Sequence, residues 1–203
     1  STSRPSATSS AICSMRTPVS PPRAGRRQGL ARVARGKRFV LIASQFHPAI
    51  ARALVRGAAE VLLRAGASRP RIRLLWAPGA FELPVIAARA ARRRPRPHAI
   101  IALGALIRGD TPQYEVLAHA AAEGLSQVAV ETGIPVTFGV IVAHTSAQAR
   151  SRAGLGLRPR HGLRRPRLRR GAPARPVAAI TNRGAEAASA ALGVLRLLHR
   201  SGL

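Results

Sequence analysis

Four short and almost unbroken apolar runs, at 38–44, 72–77, 99–103 and 136–143, alternate along this chain with segments of helical periodicity. A strand that is apolar on both faces needs helices on both sides of its sheet. Strands alternating with helices give parallel pairing through right-handed crossovers. The expected fold class is therefore α/β, a three-layer sandwich with a central four-stranded parallel sheet flanked by helices. The first helical segment follows Pro48, sets Ile50, Leu54, Ala58, Val61 and Leu62 on one stripe, and stops at Gly66. Two more are read at 83–91 and at 114–132, the latter bounded by Pro112 and Gly133. In open sheets of this kind ligands gather at the carboxyl ends of the strands. Those ends read SQFH (44–47), APGAFE (77–82), GALIRGDTPQ (104–113) and VAHT (142–145), so the chemistry is expected in these four loops.

The charge is concentrated elsewhere. The chain carries 34 basic against 7 acidic residues, a formal charge of +27, which taken alone suggests a nucleic-acid or anionic-surface partner. Fifteen arginines and no acid fall within residues 1–36 and 155–180, the first segment rich in Ser and Pro and the second in Arg and Pro. Neither has a core-forming pattern. Residues 1–36 read as a disordered extension with the composition of a transit peptide, or as an over-extended start ahead of Met15. Residues 37–203 read as one domain interrupted by a 155–180 insertion, or by an error of the gene model there. Because 33 of the 34 basic residues are arginine, the excess reads as GC-rich coding, and nucleic acid is not expected as a partner. No run approaches the roughly 18 apolar residues of a spanning helix, so no membrane partner is expected. The single cysteine, Cys13, has no disulfide partner within the chain. The expected compartment is the cytoplasm, or a plastid if residues 1–36 are a transit peptide.

Within the loops, Thr111 before Pro112 reads as a capped helix start, with Thr111 satisfying free N–H groups and proline in the first helical position. With Gly109 beside it, such a start suits an anion, although a plain capped helix explains it as well. Glu82 beside Phe81 sits at a strand-to-helix turn, where a carboxylate accepts hydrogen bonds and an aromatic ring stacks on a planar one. The plain alternative is a carboxylate complementing the helix dipole over a core phenylalanine. Phe46 and Phe138, also at or near strand ends, carry the same two readings.

Taken together, SQFH at 44–47, PGAFELP at 78–84, ALGALIRGDTPQYE at 102–115, GIPVTFGV at 133–140, SRAG at 151–154 and NRGAEAASAAL at 182–192 resemble the lumazine synthase family over about 140 residues. The resemblance implies a flavodoxin-like topology and a transferase of riboflavin biosynthesis. Such enzymes condense 5-amino-6-(D-ribitylamino)uracil with 3,4-dihydroxy-2-butanone 4-phosphate to give 6,7-dimethyl-8-ribityllumazine, phosphate and water, without metal or organic cofactor. It implies that Phe46 stacks on the pyrimidine, and that Ala80, Phe81 and Glu82 hold the ribityl-uracil. Ala105, Leu106 and Ile107 would add backbone contacts, and Phe138 of a neighbouring subunit would close the pocket. Asp110, Thr111 and Arg152 would bind the butanone phosphate. Small-molecule substrates, a homo-oligomer (pentamer or decamer) and a riboflavin synthase are the partners it implies.

The chain departs from the family pattern in two places. Where the family has a proton-donor histidine after TP, this sequence has Gln113, which can orient a group but exchanges no proton near neutrality. His47 and His144 lie in strand-end loops within reach of a site, with a surface role the plain reading of each; His119 falls on another face of its helix. The 155–180 segment also sits where the family passes directly between its last two helices, and it begins close to Arg152. The alternative function is a catalytically weakened family member acting as an oligomeric shell or an anion- or nucleic-acid-binding protein.

Overall fold

Along the chain run β1 (Phe39–Ser44), α1 (Pro48–Arg64), β2 (Ile72–Ala77), α2 (Leu83–Arg92), β3 (Ala99–Ile107), α3 (Gln113–Thr132), β4 (Val136–Ala143), α4 (Ser146–Arg152) and α5 (Arg183–Arg200). These elements come from a computed structural model that describes residues 33–156 and 182–202. The readings made for residues 1–32 and for 157–180 lie outside the described residues. All strand pairs are parallel and the sheet order is β2-β1-β3-β4, the doubly wound arrangement expected of a flavodoxin-like fold.

The two faces of the sheet bury separate clusters. Phe39, Leu41 and Leu103 pack under α1 and α5, while Val40, Ile42, Ile100 and Ala102 pack under α2 and α3. β1 is buried along its whole length, as its unbroken apolar run requires. β2 departs from that expectation. It is an edge strand, and its Leu74 and Trp76 remain 37% and 39% exposed because no described helix covers them. β3 is also longer than its apolar core of 99–103 suggests. Pairing with β4 continues through Ile107 and Ala143, which draws Ala105, Leu106 and Ile107 out of the expected loop and into the strand.

Local signals set the helix ends. After α1, Gly66 takes a φ of 95°, and the Gly66 and Ala67 N–H groups donate to the Leu63 and Leu62 carbonyls, both at 3.0 Å. α3 ends at Gly133, with φ 66° and its N–H bonded to the Ala129 carbonyl. Its start differs from the expected cap. The helix begins at Gln113, Pro112 occupies the capping position, and no side chain caps it, so Thr111 lies one residue too early to bond the first turn. Ahead of β1, Ala34 is fully buried and its N–H bonds to the Ala65 carbonyl at the end of α1.

The NRGAE motif joins α1, α4 and α5. The Asn182 side chain accepts from the Ala185 N–H as the cap of α5, and its amide donates to the Ala53 carbonyl at 3.0 Å and the Ala153 carbonyl at 2.8 Å. Ala153 also forms a bridge with Asn182, so the chain leaves toward residue 157 and returns at 182 at one place. Gly184 then permits the crossing of α1 and α5, because a Cβ there would run into the Leu54 carbonyl. Gly193, on the same helix, has open space around it. Gly184→Ala should therefore destabilise the fold by about 1–3 kcal/mol through overpacking. Gly193→Ala should stabilise it by about 0.5–1 kcal/mol through helix propensity. Denaturant melts of the two variants at one protein concentration check the opposite signs.

Candidate active site

β1 and β3 are neighbours from which the chain departs to opposite sides of the sheet, and a cleft of about 600 Å³ opens at their carboxyl ends. The end of β1 brings Ser44 and the loop after it Phe46 and His47; the turn before α2 brings Gly79, Ala80, Phe81 and Glu82. The end of β3 brings Ala105, Leu106 and Ile107, and the following loop and α3 bring Gly109, Thr111, Gln113, Tyr114 and Leu117. Nine of the residues singled out from the sequence thus meet in one cavity: Phe46, Ala80, Phe81, Glu82, Ala105, Leu106, Ile107, Thr111 and Gln113.

Three do not line it. Asp110 is exposed on the loop after β3. Phe138 is the third residue of the edge strand β4, level with Ala102 of β3 and packed against the core under α2 and α3, so it is not at the carboxyl end of its strand. Arg152 lies in the last turn of α4 and pairs with the Glu186 carboxylate at 3.4 Å. Of the three histidines weighed as substitutes for a base, only His47 lines the cavity. The His144 ring lies edge-on to Tyr114 at 6.2 Å, and His119 Nδ1 is 2.8 Å from the Glu115 carbonyl oxygen. Sequence reading missed Ser44, Tyr114 and Leu117. Leu117 was legible in principle, being four residues after Gln113 and so on its face of α3.

The lining combines exposed aromatic rings with a carboxylate and backbone polar groups. Phe46 is 76% and Phe81 59% exposed, so two aromatic faces stand at the cleft with little of their own core to pack on. Glu82 folds back over Gly79, where a Cβ would meet its Oε2 at 2.7 Å. β1 pairs with β3 only as far as Ala43 and Leu103, whereas β4 pairs through Ile107. The last residues of β3 therefore have strand pairing on one side only, and their other edge faces the cleft with peptide groups to offer. A fully buried Ser44 sits beside Gly104, and its Oγ accepts from the Phe46 N–H at 3.4 Å, which sets the turn that presents Phe46.

Burial lowers the His47 pKa from 6.5, which favours the neutral imidazole. Tyr114 is shifted the other way, above 10.0, chiefly because its hydroxyl donates to the Glu115 carboxylate at 2.6 Å. A larger cavity of about 910 Å³ lies between α2 and the opposite ends of β1 and β2, lined by Arg38, Arg71, Arg73, Arg89, Arg93 and Arg94. It holds none of the motif residues and sits away from the carboxyl ends, so the smaller cleft is the candidate site. Among the described residues no group of three or more His, Cys, Asp or Glu is placed to hold a metal ion.

The profile of the family described as 6,7-dimethyl-8-ribityllumazine synthase matches residues 36–199. Individual proteins of that name are similar to this chain. The one from Chlorobium phaeobacteroides is 46% identical over 121 residues, which is 60% of this chain and 77% of the relative. The one from Thermus thermophilus is 40% identical over 121 residues, 60% of this chain and 76% of the relative. The one from Prosthecochloris aestuarii is 46% identical over 121 residues, with 60% and 77% covered.

Tyr114 is the single tyrosine of the chain, so phenolate absorbance reports on it alone. It should ionise above 10.0, and Glu115→Gln, which removes the charge holding the phenolic proton, should bring its midpoint down toward 10.0. Spectrophotometric titration of both proteins, with circular dichroism to follow the fold, checks the shift.

Proposed function

The chain belongs to the 6,7-dimethyl-8-ribityllumazine synthase family, and we propose that the cleft between β1 and β3 is where it carries out that family's reaction. The protein is a transferase of riboflavin biosynthesis, condensing 5-amino-6-(D-ribitylamino)uracil with 3,4-dihydroxy-2-butanone 4-phosphate to give 6,7-dimethyl-8-ribityllumazine, phosphate and water. The observation that carries the site assignment is the convergence of Phe46, Phe81, Glu82 and the free edge of β3 on one cavity. In our reading Phe46 stacks on the pyrimidine, while Glu82 accepts from ribityl hydroxyls with Ala80 and Phe81 beside it. Peptide groups of Ala105, Leu106 and Ile107 bond the uracil edge. Held together in this way, two reactive partners gain rate from proximity alone.

The phosphate end is less complete within one chain. Thr111 lines the cleft and Asp110 is next to it, but Arg152 and Phe138 do not reach it. We propose that a neighbouring copy supplies Phe138 and Arg152, in a pentamer or a pair of pentamers. Assembly is a general property of this family. A shell of sixty subunits is not expected, because residues 155–180 occupy the join between the last two helices. A riboflavin synthase, which would consume the product, is the proposed protein partner. The cytoplasm is the proposed compartment, or a plastid if residues 1–36 act as a transit peptide. The alternative of a non-catalytic shell or nucleic-acid binder is not favoured by the family match.

Supplying both substrates to the purified protein should yield lumazine absorbance with one phosphate released per product. Arg152→Ala should raise the KM for the butanone phosphate at least tenfold more than that for the uracil, since a charge-assisted bond to phosphate is worth roughly 1.5–3 kcal/mol. Unchanged constants would remove Arg152 from the site. Light scattering should give a mass of five or ten chains; an active monomer or a sixty-subunit shell would contradict the assembly.

A further inference from the structure

We infer that the His47 imidazole is the group that exchanges protons with the substrates in this cleft, an inference that rests on the lumazine-forming reaction proposed above. His47 stands at the cap of α1 directly after β1, and its backbone carbonyl closes the first turn by accepting the Ala51 N–H at 2.9 Å. Its ring makes no capping bond. The ring instead stands edge-on to Phe46, with centroids 5.1 Å apart, on the wall of the cavity that also holds Gln113. The helix therefore does not need the imidazole, and the cleft has it.

Among the described residues, three side chains lining the cavity can gain or lose a proton: His47, Glu82 and Tyr114. By residue type only imidazole changes charge between pH 5 and 8 without help. The Tyr114 hydroxyl is committed to the Glu115 carboxylate, which holds its proton still more firmly. Gln113 has no proton to exchange. Burial favours the neutral form of His47, which can accept one.

The chemistry needs such a group twice. As the uracil's 5-amino nitrogen adds to the butanone carbonyl, a C–N bond forms, the nitrogen becomes positively charged, and the carbonyl oxygen takes up the π electrons as an alkoxide. Neutral His47 accepts one N–H proton, while the alkoxide gains a proton from water to give the carbinolamine. The imidazolium then donates its proton to that hydroxyl. The C–O bond breaks, water leaves, and the nitrogen lone pair forms the C=N bond; loss of the remaining N–H proton returns the balance to solvent. His47 ends as it began.

The test uses the full chain, both substrates, and the pH dependence of kcat. The native protein should lose turnover as pH falls through a value below 6.5, the direction set by a base that must be unprotonated. His47→Asn should lower kcat by about 10²-fold or more, the usual range for general acid-base help, and abolish that acid limb, with both KM values changed by less than about threefold. His47→Gln repeats the measurement with a different side chain, and both should melt with the native protein because the ring caps nothing. Adding Gln113→His to the His47→Asn protein should restore at least about tenfold of the lost turnover, with a new pH dependence near 6.5. A His47→Asn protein that keeps its kcat and acid limb overturns the inference, as does one in which only KM rises. If the native protein makes no lumazine at all, the reaction reading fails; if the native and His47→Asn proteins are equally active, only the His47 assignment fails.

Discussion

The reversal of chain direction across the sheet between β1 and β3 is the constraint on which the site depends. Both strands are apolar on their two faces, so they belong in mid-sheet, and β2 and β4 are left to flank them. The chain leaving β1 goes toward β2 at one edge, and the chain leaving β3 goes toward β4 at the other. Two crossovers that part in this way cannot both fill the space above the strands. The cleft is what remains, and every loop end that reaches it does so because its strand lies at or next to that parting.

Register then decides what the cleft offers. β3 runs four residues past its last pair with β1 while β4 keeps pace with it, so the end of β3 has a paired edge and a free one. A free strand edge is ordinarily a liability, since its N–H and C=O groups seek partners. Here the liability faces a cavity, where a heteroaromatic ring with its own donors and acceptors can take the partner's place. Gly104, just past the last β1 pair, fits because even a Cβ would approach Ser44 to 3.1 Å. The side chain of Ser44 in turn holds the turn that carries Phe46 and His47.

Much of this was legible in the sequence and some was not, for identifiable reasons. The four strands, the α1 stop at Gly66 and the α3 stop at Gly133 follow from apolar runs and glycine, because both signals are local. Convergence of the 46, 80–82, 105–107, 111 and 113 positions was legible from the carboxyl-end rule together with the family resemblance. The extension of β3 was not, because it depends on the length of β4, thirty residues on. The expected Thr111 cap failed because Pro112, with no N–H and helix-compatible φ, already sits at the boundary and shifts it by one residue. The exposure of Leu74 and Trp76 was equally hidden, since an apolar run does not reveal whether its strand lies at an edge.

Charge placement carries the last step. In a chain with 34 lysines and arginines, no described residue lining the cleft is either one, while six arginines line the larger cavity at the other end of β1 and β2. A site that takes a doubly charged phosphate in a chain so rich in cations would be expected to use one. Thr111 can offer a hydroxyl and the first turn of α3 its N–H groups, but these supply partial charges only. Arg152 is held in its own chain beside Glu186, at the junction where Asn182 ties α4 to α5. A neutral, aromatic half-site in one chain and a tethered cation in the same chain that does not reach it are complementary halves. In the assembly proposed above they meet only when two copies do, and on that proposal assembly is a condition of the anion's binding and not an addition to a finished active site.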